Sequence, residues 1–233
     1  MRKIQAIFSE AKHWHKFEHY FAIYDQHLAR FQNSKVAMLE IGVDRGGSLA
    51  VWQKFLGSQA FIYGMDINPD CRRFKGRLAK DVFIGDQADA KFLTICAQKM
   101  PKLDIILDDG GHFASQQIAS FETLFPLLKD GGVYMVEDAH TQMFWRKYGR
   151  WHWHKGRLYR NGFIDYAKQY IDVMHAWHTG KESFSRWGLP RQQRLGQCNV
   201  SAWTRMIKSI SFYDGVIVFE KAKVAEPLRI FTE

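Results

Sequence analysis

The 233-residue chain contains 46% hydrophobic and 24% charged residues, which is typical of one globular domain or of a domain with a small appendage. No run of 18 or more apolar residues occurs, so we expect no membrane span, and the N-terminus lacks the pattern of a secretory signal. The three cysteines are widely spaced and odd in number, which argues against a disulfide framework and predicts a cytoplasmic protein.

The formal net charge of +9 is compatible with nucleic acid, an anionic membrane surface or an anionic small molecule as the partner. Basic residues are scattered, with a modest concentration at 144–160, where they alternate with aromatic residues as in single-strand binders. The same segment could be a substrate lid or a plain basic surface. We therefore rank nucleic acid below a small molecule as the expected partner.

The periodicity of apolar residues predicts the elements in chain order. Between 12 and 31 they recur at spacings of three and four, which predicts a helix with one buried face inside an N-terminal helical segment, 1–34. The remainder, 35–233, is predicted to form one domain. Its short apolar runs predict five strands, at 35–43, 60–67, 80–89, 103–109 and 131–138. Helical patterns follow three of these runs, at 49–56, 90–98 and 118–128, and a fourth lies at 163–178.

Alternating buried strands and amphipathic helices predict an α/β fold of the Rossmann-like type, with a mostly parallel sheet and helices on both faces. Residues 210–221 contain two β-rich runs around Asp214-Gly215, which predicts a C-terminal antiparallel hairpin. Residues 140–200 are predicted to be an insertion over the sheet edge that serves as a substrate lid.

The turn after the first strand contains three glycines, Gly42, Gly46 and Gly47, whose spacing does not match the dinucleotide pattern. Glycines here allow a backbone to approach a ligand closely. An acid ends each of the next two strands: Asp66 could accept both hydroxyls of an adenosine ribose, and Asp86 could accept from an adenine amino group. Such acids can also cap helices for local reasons, but glycines and both acids in register favour a ligand site.

Two further strands end in acid pairs, Asp108-Asp109 and Glu137-Asp138. Paired carboxylates repel each other, so a cation or a solvated turn has to make the arrangement tolerable. The motifs contain no basic residue, and oxygen ligands suit a hard divalent cation. His112 follows the first pair. It either caps the next helix or serves in catalysis, and the neighbouring acids favour the catalytic role.

Several blocks of sequence resemble the sugar O-methyltransferases typified by the macrocin and mycinamicin enzymes, with cephalosporin-hydroxylase-like proteins as relatives. The blocks are LEIGVDRGGSLAVWQKFLG, IYGMDINPDC, DIILDDGGH and FPLLKDGGVYMVEDAHT. The resemblance covers about 16–145 and resumes at 163–178 and 210–221. It implies a class I methyltransferase fold, S-adenosylmethionine as methyl donor, and a divalent metal, usually Mg²⁺.

The resemblance also implies roles for individual residues. His112 is expected to be the general base, and Asp109, Glu137 and Asp138 the metal ligands. Asp108 is expected to be structural or to lie near the cofactor. The full set of predicted cofactor-binding residues is Glu40, Gly42, Gly46, Ser48, Asp66, Asp86, Gln87 and Asp108.

The remaining histidines carry weaker expectations. His140 follows the second acid pair and is a further candidate for orienting substrate, although it could equally lie in a surface loop. Others, such as His13 and His15, are predicted to be packing or surface residues. Gly111 departs from close relatives, which often carry serine there, and is expected to loosen the turn that holds His112.

These observations predict an S-adenosylmethionine- and metal-dependent O-methyltransferase acting on a sugar hydroxyl, in a nucleotide sugar, a surface glycan or a glycosylated natural product. A metal that holds two neighbouring hydroxyls would lower the pKa of the attacking one. A catechol-type O-methyltransferase is the alternative, and a nucleic-acid-binding module using 144–160 is less favoured. A hydroxylase is disfavoured because no triad of two histidines and a carboxylate is evident. The oligomeric state stays open, with a homo-oligomer as one possibility.

Overall fold

A computed structural model describes residues 3–141, 151–154, 157–160, 162–178 and 200–227. The first half contains the N-terminal helices and most of the sheet: α1 (Lys3–Glu10), α2 (Tyr20–Leu28), β1 (Ala37–Ile41), α3 (Gly47–Leu56), β2 (Phe61–Asp66), β3 (Asp81–Ile84) and α4 (Ala90–Gln98). The second half contains β4 (Ile105–Asp108), α5 (Ala114–Leu124), β5 (Val133–Val136), β6 (Trp151–His154), β7 (Arg157–Arg160), α6 (Phe163–Met174), β8 (Ile207–Phe212) and β9 (Ile217–Lys221).

Seven strands form one sheet in the order β3-β2-β1-β4-β5-β9-β8. The pairs among β1 to β5 are parallel, whereas β9 runs antiparallel to β5 and β8 runs antiparallel to β9. The predicted fold class is therefore confirmed. The hairpin turns at Gly215, whose φ of +74° favours glycine, as the Asp214-Gly215 signal predicted.

Both faces of the sheet are buried, which explains why the parallel strands read as nearly continuous apolar runs. Alternate side chains enter two separate cores: Met38 and Leu107 lie in one, and Leu39 and Ile106 lie in the other. The first core is completed by α1, α2 and α3, and the second by α4, α5 and α6. No helix in the described ranges is long and apolar enough to cross a membrane.

The N-terminal segment differs from the predicted single helix over 12–31. Only Tyr20–Leu28 is α-helical, the unpredicted helix α1 precedes it, and residues 11–19 form a loop between the two. His13 has a φ of +61°, which a continuous helix does not allow. Trp14 is 36% exposed, yet its ring lies 5.2 Å from that of Phe8 and 6.0 Å from that of Phe21, so its apolar spacing reflects ring contacts made from a loop.

The region 140–200 contains the antiparallel pair β6–β7, which was not predicted, and helix α6, which was. Residues 142–150, 155–156, 161 and 179–199 lie outside the described residues. The assignment of 140–200 as a substrate lid, and the division at residue 34, stay predictions.

Candidate active site

A cavity of about 430 Å³ opens at the carboxyl ends of the parallel strands, the usual ligand position in such sheets. Its size lies within the roughly 300–1,000 Å³ of typical small-molecule sites. Strand-end turns and the loop 11–19 build its wall. Eight of the predicted site residues line it: Gly42, Ser48, Asp66, Asp86, Gln87, Asp109, His112 and Asp138. The other four predicted residues are buried outside the cavity wall: Glu40, Gly46, Asp108 and Glu137.

Gly42 allows the turns after β1 and β4 to come together. Its φ is +91°, and a Cβ added to it would lie 2.0 Å from the carbonyl oxygen of Asp109. Only glycine fits this position. The sequence predicted that Gly42 would let a ligand approach the backbone closely. In the structure, Gly42 also lets the backbone of Asp109 approach.

Asp66 and Asp86 lie at the end of the cavity where the nucleoside was predicted to bind. Asp66 Oδ2 accepts hydrogen bonds from the backbone amides of Val43 at 2.8 Å and Asp44 at 2.9 Å, so the end of β2 fixes the first turn. Asp86 is exposed and accepts from the backbone amide of Ala88 at 2.8 Å. Their nucleoside-binding roles stay predictions, since both also serve the local backbone.

Glu40 lies behind the cavity wall. Its carboxylate is fully buried and accepts hydrogen bonds from Ser48 Oγ at 2.9 Å and Trp52 Nε1 at 2.8 Å. Burial raises the pKa of Glu40 to about 7, against the attraction of Lys16. Glu40 therefore positions helix α3 and Ser48, which itself lines the cavity.

The raised pKa of Glu40 predicts a specific pH dependence of stability. The folded state keeps its proton up to about pH 7, whereas the ordinary pKa is 4.5. The stabilisation is therefore complete below pH 4.5 and is lost as the pH rises through 7. At 1.36 kcal/mol per pKa unit, it is on the order of 3 kcal/mol. We expect Glu40→Gln to lose less stability than the wild type between pH 5 and pH 8 in urea unfolding; parallel losses would contradict this account.

Asp108 and Gln87 support the turn that carries His112. Asp108 is fully buried and accepts from Gln87 Nε2 at 3.0 Å and from Ser120 Oγ. Gln87 Oε1 in turn accepts from the backbone amide of Gly111 at 2.8 Å. Asp108 is therefore held in a structural position, one of the two that the resemblance implied for it. The backbone of Gly111 is held by Gln87, although this position lacks the serine that close relatives often carry.

Asp109, His112 and Asp138 bring donor atoms within 4.8 Å of one another. His112 Nε2 lies 3.7 Å from Asp138 Oδ2, while His112 Nδ1 is buried and lacks a hydrogen-bond partner among the described residues. Two carboxylates and an imidazole are a donor set that fits a divalent cation.

The backbone is unusual at two of these three residues. His112 has a φ of +58° and Asp138 a φ of +50°, in the left-handed region that few non-glycine residues adopt. Such conformations concentrate at functional sites, where the surrounding structure holds them. Tyr20 contributes by donating a hydrogen bond to Asp138 Oδ1 at 2.7 Å.

Glu137 lies in a different environment from Asp138. It is fully buried, and its Oε1 accepts from Tyr24 at 2.6 Å while its Oε2 accepts from Lys16 at 2.5 Å. Lys16 also donates to Asp109. Burial raises the pKa of Glu137, and Lys16 counters that effect. The structure therefore brings Glu137 to the predicted edge of the sheet, but with a donor already on each oxygen.

Lys16 is a member of this acid cluster that the sequence did not reveal, because it lies 93 residues from Asp109 and outside the acid motifs. Burial lowers its pKa, but attraction to Asp109 and Glu137 outweighs this and raises the pKa above its ordinary value. The repulsion between paired acids indicated that a cation is needed, without indicating which one.

The other histidines are placed as follows. His13 and His15 are exposed, in agreement with the surface alternative, and they also line the cavity. His140 lies outside the cavity wall, with its ring 5.5 Å from that of Phe17. Among the described residues, His140 is therefore not one that lines the cavity.

Comparison with known proteins shows which methyltransferases the chain resembles. Residues 39–139 match the family described as "Methyltransferase domain". The chain is 31% identical over 209 residues to 8-demethyl-8-alpha-L-rhamnosyl tetracenomycin-C 2'-O-methyltransferase of Streptomyces olivaceus, covering 87% of this chain and 50% of that protein. It is 37% identical over 141 residues to mycinamicin VI 2''-O-methyltransferase of Micromonospora griseorubida, covering 57% of this chain and 34% of that protein.

A solved structure agrees with these relatives. MycE methyltransferase from the mycinamycin biosynthetic pathway, in complex with Mg, SAH and mycinamycin VI, superimposes with a TM-score of 0.76. The two sequences are 25% identical, and the match covers 95% of this chain and 53% of the other. The chain thus spans at most about half the length of these proteins.

The fold is that of class I methyltransferases, and residues 39–139 match a methyltransferase domain. The chain is similar in sequence to the macrocin, mycinamicin and tetracenomycin sugar O-methyltransferases, and the resemblance predicted from its motifs is confirmed.

Proposed function

We propose that the chain is an S-adenosylmethionine- and divalent-metal-dependent O-methyltransferase that acts on a sugar hydroxyl of a glycosylated small molecule. The observation that carries the proposal is that Asp109, His112 and Asp138 open into the same cavity as Asp66 and Asp86. Acids that could hold a cation, a histidine that could accept a proton and acids that could bind a nucleoside therefore share one cavity. The names of the relatives, and the Mg and SAH in the MycE complex, support the same assignment.

The cofactor would lie along the strand-end turns of β1, β2 and β3. Asp66 and Asp86 would accept hydrogen bonds from the nucleoside, and Gly42 would leave space beside it. When bound, S-adenosylmethionine supplies an electrophilic methyl group. The protein's contribution is to orient donor and acceptor, which supplies much of the acceleration in direct displacements.

The acids at the ends of β4 and β5 would hold the metal, with Asp109 and Asp138 facing the cavity and Glu137 beneath them. When bound, a divalent ion supplies positive charge that lowers the pKa of a coordinated hydroxyl. His112 would accept the hydroxyl proton at Nε2, the ring nitrogen 3.7 Å from Asp138 Oδ2. Asp138 would stabilise the charged imidazole that results.

Methyl transfer to defined acceptors tests the function. The purified chain would be incubated with methyl-labelled S-adenosylmethionine, MgCl₂, and either rhamnosylated or other glycosylated aglycones or simple catechols. We expect label on the glycosides and none on the matched aglycones or the catechols. Label on catechols alone would favour the catechol-type alternative, and label on none of these acceptors would contradict the proposed acceptor class.

A further inference from the structure

The loop between α1 and α2 carries a cation into the site proposed for the metal. The Lys16 side chain is only 4% exposed, and its ammonium donates to Asp109 Oδ2 and Glu137 Oε2. Asp109 follows β4 and Glu137 follows β5, so Lys16 bridges the two strand ends. The ammonium supplies countercharge to one carboxylate that is fully buried and one that is 22% exposed.

The oxygens that Lys16 contacts belong to two of the three predicted metal ligands. The second oxygen of Glu137 already accepts from Tyr24 at 2.6 Å. A divalent ion that used Asp109 and Glu137 together would therefore compete with the ammonium for the same carboxylates. An ammonium and a divalent ion repel each other strongly at such short range. Holding both cations between these acids would therefore be strongly unfavourable.

The backbone around Lys16 is seated against the cofactor cavity. The carbonyl oxygens of Lys12 and His13 would lie 2.4 Å from a Cβ added to Gly47, at the start of α3. Residues 13–16 form part of the cavity wall. Movement of Lys16 away from the acids would therefore change the wall as well as the charge of the site.

We propose that Lys16 is the resident cation of the strand-end acids, and that a divalent ion binds by displacing its ammonium from Asp109 and Glu137. The inference rests on the metal site of the proposed function. Metal binding is then weakened by the lysine, and it is coupled to the position of the loop 11–19 on the cofactor cavity. Lys16 therefore raises the concentration of divalent ion at which the site is half occupied.

Calorimetric titration of the full chain with MnCl₂ in the presence of SAH tests this competition. We expect Lys16→Met to bind Mn²⁺ at least tenfold more tightly than the wild type, because the acids no longer have an internal partner. Lys16→Arg, which keeps the charge, is expected to stay within about threefold of the wild type. Lys12→Met removes an exposed lysine from the same loop and serves as the matched control.

Thermal unfolding gives a second readout that does not depend on activity. Without metal, Lys16→Met leaves the buried carboxylate of Glu137 and the partly buried carboxylate of Asp109 without their countercharge and should unfold at a lower temperature. Adding MnCl₂ should raise its unfolding temperature by more than that of the wild type. If Lys16→Met proves too unstable to purify, Lys16→Gln replaces it in both measurements.

The outcomes separate the two proposals. Equal or weaker Mn²⁺ binding by the uncharged variants, with SAH binding intact, would overturn the role of Lys16 and leave the metal site standing. Absence of Mn²⁺ binding in every variant that still binds SAH would overturn both the metal site and this inference.

Discussion

Replacing His112 with alanine is expected to lower the rate of methyl transfer by about 10²- to 10⁴-fold, the usual contribution of a positioned general base. The acceptor hydroxyl would lose the group that takes its proton, while the strand-end turns that form the nucleoside end of the cavity stay in place. Turnover with labelled S-adenosylmethionine, together with calorimetric binding of SAH, measures the two effects separately.

His175 provides the matched control, because it is exposed at the end of α6 and outside the cavity wall. His175→Ala should retain wild-type turnover. A His112→Ala enzyme with near-normal turnover would show that the histidine is not the base. Parallel loss of turnover and SAH binding would instead indicate that the substitution damaged the cavity.

Replacing Asp109 with asparagine is expected to lower the affinity for Mn²⁺ by at least about 10- to 100-fold, the loss commonly seen when even the supporting groups of a metal site are changed. The asparagine keeps the shape of the side chain and the backbone hydrogen bond to Ile41. Turnover should fall with the metal affinity, and a chelator such as EDTA should abolish turnover in the wild type.

Asp172 lies exposed on α6 and gives the control variant Asp172→Asn, which should bind Mn²⁺ and turn over normally. Wild-type Mn²⁺ affinity in Asp109→Asn would remove this residue from the metal site. Turnover that persists in EDTA, with the ion shown to be absent, would contradict a metal-dependent reaction.

The fold was predictable because its signals are local. The strands are short apolar runs ended by glycines or acids, and burial of both sheet faces makes those runs nearly continuous. The Asp214-Gly215 turn fixed the hairpin in the same way. The helix predicted over 12–31 was partly wrong because Trp14, although exposed, contacts the core residues Phe8 and Phe21 from a loop that has similar spacing.

The candidate site was predictable only in part. The strand-end acids are visible in the sequence, but whether an acid faces the cavity depends on its register within the pleat. Asp108 and Asp109 are adjacent, yet the first is sealed beneath Ser120 and the second lines the cavity. Glu40 and Glu137 are likewise fully buried and do not line the cavity, and their predicted ligand roles stay predictions. Their burial is decided by α2 and α3, which no strand-end motif encodes.

Lys16 was out of reach for a related reason. Its partners lie 93 and 121 residues away, so no spacing rule connects them. Only the general requirement that buried acids find a countercharge pointed to such a residue, and 33 lysines and arginines could have met it.

Anomalous X-ray scattering from crystals grown with SAH and MnCl₂ tests the central claim most directly. The account predicts SAH in the strand-end cavity and a manganese peak within coordination distance of Asp109 and Asp138, with Lys16 withdrawn from Glu137. SAH bound in the cavity without a manganese peak between the ends of β4 and β5, at a saturating MnCl₂ concentration, would contradict it.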